Sequence, residues 1–191
     1  IEAQAREGSS LSGSSFGDFE STASNDRDNQ AGYVQVVSNL GAATLHGGAR
    51  IDHNDPFGDF FTYRAGASVQ ASRIVRLRGW VGTGFKEPRF FEQFSEGAGA
   101  RGNPALEPEQ SRSAELGADL EIGAFSLGAT AFAQSFRNLI QYTFTPVTAD
   151  SVNYTNVGKV SADGWELETR FRTAALLLRA QITLLSTRVE D

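Results

Sequence analysis

Apolar residues recur at every second position along most of this chain. In 75–86, Val75, Leu77, Gly79, Val81, Thr83 and Phe85 share one parity, while Arg76, Arg78, Trp80, Gly82, Gly84 and Lys86 share the other. Residues 113–122 set Ala114, Leu116, Ala118, Leu120 and Ile122 against Ser113, Glu115, Gly117, Asp119 and Glu121. In 164–172, Trp165, Leu167, Thr169 and Phe171 oppose Glu166, Glu168, Arg170 and Arg172, and 43–52 alternates in the same way. Successive side chains of a strand point to opposite faces, so this period means strands with one apolar and one charged face. The pattern predicts nine strands, at about 1–8, 30–41, 42–53, 60–71, 73–86, 109–122, 124–143, 152–173 and 175–189. Several are longer than the ~9–11 residues that cross a bilayer. The stretches 33–40 and 132–140 carry apolar residues on both parities, which points to bulges or to strand segments reaching past a membrane.

The connections add a second rhythm. Short turns fall near 40–42, 71–73, 122–124 and 173–175, and longer polar or Gly-rich loops near 9–29, 54–59, 87–108 and 144–151. Alternating short and long connections belong to an up-and-down barrel, with tight turns at one rim and long loops at the other. Greek-key sandwiches scatter their loop lengths instead. The expected fold is therefore all-β, an antiparallel up-and-down transmembrane β-barrel of which this chain holds about nine strands.

In hydrocarbon every backbone polar group must pair internally, so strands cross a membrane only in a closed barrel. The outward parity then needs to be apolar but not bulky, and many of the apolar residues here are Ala. The inward parity would carry Arg76, Arg78, Glu115, Asp119, Glu121, Glu166, Glu168, Arg170 and Arg179. Aromatic residues near strand ends (Phe60, Phe61, Tyr63, Phe85, Phe90, Phe91, Tyr142, Phe144, Tyr154, Trp165 and Phe171) suit girdles at the two membrane interfaces. The competing reading makes them the cover of a soluble β-sandwich, an adhesin or binding module.

Composition narrows the function. No cysteine is present, so disulfides and thiolate metal sites are excluded. The net charge is −6 and no basic stripe runs along the chain, which argues against a nucleic-acid partner. No apolar run approaches the ~20 residues of a membrane-spanning helix. The chain opens at Ile1 in a strand-like stretch with no signal peptide before it, so it is expected to be a section of a larger barrel.

Catalytic constellations are missing from the pattern. His46 and His53 lie on opposite parities and make no metal pair. The acidic clusters Asp52, Asn54, Asp55, Asp59 and Asp18, Glu20, Asp26, Asp28 lack the order of a calcium loop and read as solvated loops. No nucleophile elbow or phosphate-binding loop occurs, and the Gly-rich 97–102 opens no helix. The expectation is no enzyme, no cofactor and no metal.

One run of residues is more specific. Gly82-Thr83-Gly84-Phe85-Lys86-Glu87-Pro88 is followed by Phe90-Phe91-Glu92 and then by Gly102-Asn103-Pro104-Ala105-Leu106-Glu107-Pro108-Glu109-Gln110-Ser111. This resembles the TonB-dependent receptor family. Phe136-Arg137-Asn138-Leu139-Ile140, Tyr154-Thr155-Asn156-Val157-Gly158 and Gly164-Trp165-Glu166-Leu167-Glu168 follow in that family's order, as do Arg50-Ile51-Asp52 and Phe61–Gly66. The resemblance spans about 43–190. It implies a plugged barrel of ~22 strands in the outer membrane. It also implies a plug domain and TonB as partners outside this chain, and a small nutrient ligand: a siderophore–iron complex, cobalamin (vitamin B12) or a sugar. The receptor is expected to be monomeric and embedded in outer-membrane lipid. The plug, the TonB box and the family's closing aromatic strand are not in the sequence, and nine strands is an odd number. A porin-like passive channel is the alternative within the membrane.

The resemblance sharpens the site expectations. Gly82 and Gly84, on the inward parity, would leave room for a body inside the lumen, although strand curvature explains the same glycines. Arg76, Arg78, Gly82, Gly84, Glu115, Asp119, Glu166 and Glu168 are then the candidates to face lumen and plug. Pro88, Pro104 and Pro108 stop strand pairing. Glu107-Pro108-Glu109 is a loop-rim segment or simply solvated. Long-loop candidates for the ligand are Phe16, Phe19, Phe57, Arg89, Phe90, Phe91 and Arg101, since exposed aromatics and arginines suit organic or anionic ligands. The plainer reading of these aromatics is that they pack the loops together or border the membrane.

Overall fold

A computed structural model describes residues 2–3, 9–14, 17–22, 27–97, 100–144 and 152–190. In chain order its elements are β1 (Glu2–Ala3), β2 (Ser9–Ser14), β3 (Gly17–Thr22), β4 (Asn29–Leu40), β5 (Ala43–Asn54), β6 (Gly58–Gln70) and β7 (Val75–Lys86). There follow α1 (Phe90–Phe94), β8 (Glu96–Gly97), β9 (Ala100–Arg101), β10 (Glu109–Ile122), β11 (Phe125–Tyr142), β12 (Tyr154–Arg172) and β13 (Leu177–Glu190). One nine-stranded sheet runs β1-β4-β5-β6-β7-β10-β11-β12-β13, every neighbour antiparallel and every connection sequential. This is the up-and-down order that period two and the loop rhythm imply. The eight long strands fall within two residues of their expected bounds. Of the first expected strand, residues 1 and 4–8 lie outside the described residues.

The two faces differ as a membrane barrel requires. On β10, Leu116 is 70% exposed, whereas the Asp119 side chain is only 22% exposed. From Glu109 to Ala118 the charged parity is less exposed at every step than the apolar one, the pattern of a sheet that curves with its charged parity on the concave side. Prolines apart, among the described aliphatic and aromatic side chains only Leu106 is buried. Leu116, Ile182, Leu184 and Leu178 stand outward on the convex wall. Water would not tolerate so much apolar surface, and no second layer covers it among the described residues; lipid is its natural solvent. On β10 the convex apolar positions run from Ile122 to Ala114, about 27 Å of strand. Tilted by ~40°, that is roughly 21 Å of height, close to the ~25 Å apolar band of outer-membrane barrels.

Tight turns close one rim. Gly41 (φ 62°) and Gly123 (φ 59°) supply the left-handed backbone of the two-residue hairpin turns at 41–42 and 123–124. Phe125 and Phe171 meet on the convex face at this rim, with ring centres 4.6 Å apart. At the opposite end of the band Phe61 and Tyr63 stand side by side at 6.4 Å. Tyr142 and Tyr154 in the strand extensions and Phe144 just past β11 cluster beyond the band and are not part of a girdle.

Three expectations are corrected, and of the two readings of the mixed-parity stretches the bulge is the one that fails. The expected loop 9–29 contains β2 and β3, paired with each other from Ser9↔Thr22 to Ser14↔Gly17; a hairpin outside hydrocarbon needs no apolar face, so its Ser-rich sequence hid it. The expected long loop 54–59 shrinks to residues 55–57, because β5 continues to Asn54, whose Oδ1 accepts the Phe57 N–H at 3.2 Å. The short–long alternation therefore fails at that connection. No bulge slips the register: β4↔β5 runs evenly from Asn29↔Asn54 to Leu40↔Ala43, and β11↔β12 from Phe125↔Phe171 to Tyr142↔Tyr154. Asn138 alone leaves that second ladder, with φ 56°. The loop 87–108 is structured by α1 and the β8–β9 pair. Residues 145–151 of the last expected loop lie outside the described residues.

One seam in the sheet is incomplete. β6 and β7 are laddered from Gln70↔Arg76 only as far as Arg64↔Gly82, although both strands continue. Above that point the Tyr63 N–H donates to the Thr83 hydroxyl at 3.1 Å. Phe60 and Phe85 stack in the parting, 4.4 Å apart and within 7° of parallel.

Candidate functional site

The sequence motifs converge on the long-loop rim. Pro88 is buried and ends β7, as a residue without an N–H must. The adjacent Glu87 accepts from Arg27 at 3.0 Å, and Arg27 also donates to the Pro88 carbonyl at 2.9 Å and to Gln93 Oε1 at 2.6 Å. The guanidinium lies between the Phe57 and Phe90 rings, at 5.0 and 4.6 Å. With its side chain 9% exposed, Arg27 joins three separate connections into one rim cluster. Asn29 extends the cluster, donating to Glu87 at 3.3 Å and accepting from the fully buried Asn54. Glu92 caps the start of α1 by accepting the Arg89 N–H at 2.8 Å. Lys86 bridges to Glu109 at 3.0 Å, tying the end of β7 to the start of β10.

A second group is built from asparagines. β11 and β12 run past the start of β10, and the segment 101–109 lies against their extension. Asn156 accepts the Glu107 N–H at 2.8 Å and donates to the carbonyls of Glu107 and Asn138 at 2.9 and 2.7 Å. Asn138 in turn donates to the Glu107 carboxylate at 2.7 Å, and its left-handed backbone turns its carbonyl toward Asn156. Asn103 donates to the Tyr154 carbonyl at 2.9 Å, and Asn153 accepts the Arg101 N–H at 2.7 Å. The Gly-Asn-Pro, Asn-Leu-Ile and Thr-Asn-Val-Gly motifs are thus one interlocking clip. Glu107, for which the sequence offers a loop-rim or a solvated place, is a clip residue. Gly102 has no side chain because a Cβ there would strike the Gln93 backbone. Burial, then the nearby Tyr142 phenol and Glu92 carboxylate, pushes the Tyr154 phenol above its ordinary range.

The concave wall holds a third group. Arg78 pairs with Asp119 at 3.3 Å and donates to Thr130 at 2.8 Å, and Arg76 shares the same carboxylate at 3.5 Å. The Arg78 guanidinium lies over Gly117, where a Cβ would be 2.8 Å from its carbon. Trp80 donates to Glu115 at 2.7 Å, and Arg64 sits 4.8 Å from the Trp80 ring. Gly82 and Gly84 share the parity of Trp80, and their space is occupied from within the wall. The Trp80 ring edge is 3.4 Å from a Cβ at Gly82, and Ser111 Oγ is 2.9 Å from one at Gly84. Glu166 and Glu168 share the face and carry no ion pair among the described residues. A hollow of about 710 Å³ opens on this wall, lined by Tyr33, Gln35, His46, Arg50, Arg64 and Trp80 among others.

The loop candidates scatter. Phe57 and Phe90 pack on Arg27, Phe91 meets the Tyr154 edge at 6.2 Å, and Arg89 and Arg101 are exposed. Phe16 lies outside the described residues, and only the backbone of Phe19, in β3, is described. His46 faces the concave wall, while His53 faces outward and contacts Asp59 at 2.6 Å. Asp52 is bound by Arg50 at 2.7 Å, Asn54 bonds to Asn29 and Asp59 meets His53, so these side chains of the stretch 52–59 turn to different partners rather than converging. Arg27, Asn29, Gln93 and Asn153 were not singled out by sequence; their partners are distant in the chain, and no local period marks them.

A curved antiparallel wall, apolar outside and charged within, with a structured long-loop rim, defines an outer-membrane receptor-type β-barrel. The family model described as "TonB dependent receptor-like, beta-barrel" matches residues 3–190. The chain belongs to that family and is a bacterial outer-membrane protein. It is 26% identical over 151 residues to the vitamin B12 transporter BtuB of Vibrio vulnificus, covering 79% of this chain and 24% of that protein. The corresponding transporter of Photobacterium profundum is 26% identical over 81% of this chain and 25% of its own length. The siderophore receptor PirA of Pseudomonas aeruginosa superposes with a TM-score of 0.73 at 20% identity, covering 85% of this chain and 32% of the receptor. The FrpB iron transporter of Neisseria meningitidis gives 0.66 at 17% identity, over 86% of this chain and 26% of that one. This chain spans about a quarter of the length of the curated relatives it matches.

Proposed function

We propose that the chain forms part of the barrel wall of a TonB-dependent receptor that takes up a scarce nutrient, a siderophore–iron complex or cobalamin. The observation that carries this reading is the concave face. With the Arg78–Asp119 ion pair and the Trp80–Glu115 hydrogen bond formed, Arg64, Glu166 and Glu168 on the same surface have no ion pair among the described residues. Those groups are available to a plug packed inside the lumen, with Arg76, Arg78, Gly82 and Gly84 around it. The rim cluster and the asparagine clip hold the long loops where a ligand arrives, and Arg89, Phe91 and Arg101 remain exposed there. In this reading residues 1–191 are one section of the barrel domain, plug and TonB are partners beyond them, the receptor is a monomer, and the wall performs no covalent chemistry.

The test uses the complete receptor. Cells lacking it should fail to accumulate radiolabelled cyanocobalamin or a ferric siderophore, and restored uptake should vanish when the proton gradient is collapsed. Energy-independent passage of unrelated small solutes through the purified receptor in liposomes would instead make it a passive channel.

A further inference from the structure

The convex wall changes character abruptly above its apolar band. On β10 the outward series Ile122, Leu120, Ala118, Leu116 and Ala114 is followed by Arg112 and then Gln110. On β11 the outward series Ala129, Ala131 and Ala133 gives way to Ser135 and Arg137. Arg112 is opposite Ser135 and Gln110 opposite Arg137, so the two arginines are diagonal neighbours on one face. Both are exposed, and neither has a carboxylate partner among the described residues. The acids nearby are already engaged: Asp163 with Arg188 at 3.5 Å, Glu190 with Lys159 at 2.9 Å, and Asp59 with His53 at 2.6 Å. Lys159 is the next outward residue across from Arg137.

These arginines do not stand on a flat surface. The parting of β6 from β7 opens a hollow of about 490 Å³, whose lining includes Phe61, Thr83, Phe85, Gln110, Arg112 and Arg137. Asp59 and Ser135 also line it. Aromatic rings enter from one side and guanidinium groups from the other, directly above the band that acyl chains cover.

The geometry points to a binding site for a phosphorylated lipid headgroup of the leaflet facing the long loops, with Arg112 and Arg137 clasping the phosphate. Arginine presents paired N–H donors that match phosphate oxygens. Gln110 and Ser135 add neutral donors beside them. Phe61 and Phe85 flank the proximal acyl or sugar portion. Height fixes the occupant: an anion free in solution has no reason to sit at the edge of hydrocarbon, whereas a lipid phosphate is held there by its own chains.

The complete receptor, delipidated in a neutral detergent, is offered diphosphoryl lipid A, the same lipid with its phosphates removed, or inorganic phosphate, and bound lipid is counted by native mass spectrometry. Diphosphoryl lipid A should bind, the dephosphorylated lipid should bind at least about tenfold more weakly, and inorganic phosphate should not displace it. R112Q/R137Q should lose about thirtyfold in affinity, the product of two basic residues at an anionic surface, while R112K/R137K keeps most of it. Folding is checked by the heat-dependent gel shift of an intact barrel. If the double variant lacks that shift, the single variants R112Q and R137Q, each about fivefold weaker, decide instead. Binding by the folded Gln variants within twofold of wild type overturns the assignment. So does equal binding of the dephosphorylated lipid, or displacement by inorganic phosphate.

Discussion

Single side chains in this wall are constrained by what lies directly across the sheet. Gly164 faces Phe132 on one neighbour and Leu185 on the other, and a Cβ there would collide with the Leu184 carbonyl and the Phe132 ring. Nothing lies within 4 Å of a Cβ at Gly47. Gly164→Ala should therefore destabilise the complete barrel by about 1–3 kcal/mol, the usual cost of overpacking, while Gly47→Ala changes little. The denaturant midpoint of the gel shift measures both. Asn156 makes three hydrogen bonds with the backbone of Glu107 and Asn138. Asn156→Ala leaves those groups short of partners at roughly 1–3 kcal/mol. The expected result is faster amide exchange across 101–109 with no change in the barrel midpoint; unchanged exchange there would show the clip to be idle.

Strands show why much of this architecture was readable from the chain and some was not. A strand in a membrane wall has two faces in two solvents, so Leu116 and Glu115 announce their sides by parity alone. That same contrast sets a measurable asymmetry. Leu116→Arg, near the middle of the convex band, should cost about 2–4 kcal/mol, whereas Glu115→Gln on the concave side loses only the charge on its bond from Trp80. Equal penalties would contradict the assignment of faces. Rim elements follow no such rule. Arg27 meets Glu87 and Gln93 sixty or more residues away, and Asn156 meets Glu107 across 49 positions. The motifs containing Asn103, Asn138 and Asn156 were visible, but that they bind one another was not. β2 and β3 escaped notice because they have no apolar face to alternate.

At the level of the whole molecule, the open sheet and its exposed wall make sense only as part of a barrel in lipid. The chain's lack of cysteine gives a direct probe of this. Introduced into the complete receptor in membranes, Ile182→Cys should react with a lipid-soluble maleimide and resist a charged one. Thr183→Cys, one residue on and across from Glu166, should show the opposite preference or be shielded by a plug. Reaction of both residues with the charged reagent alone would remove the wall from the bilayer.

The parted seam between β6 and β7 has a mechanical corollary. Between the other long strands from β4 to β13 backbone ladders share any load almost end to end; here a threonine hydroxyl and one pair of stacked rings hold the upper edges together. Tension on the long loops will concentrate at this fissure, and Thr83→Val, which keeps the shape but removes the tether, should let it run downward toward Gly82. In a pulling experiment on the intact barrel, the first rupture should come at lower force in that variant and release the hairpins before the seam as a separate step from those after it.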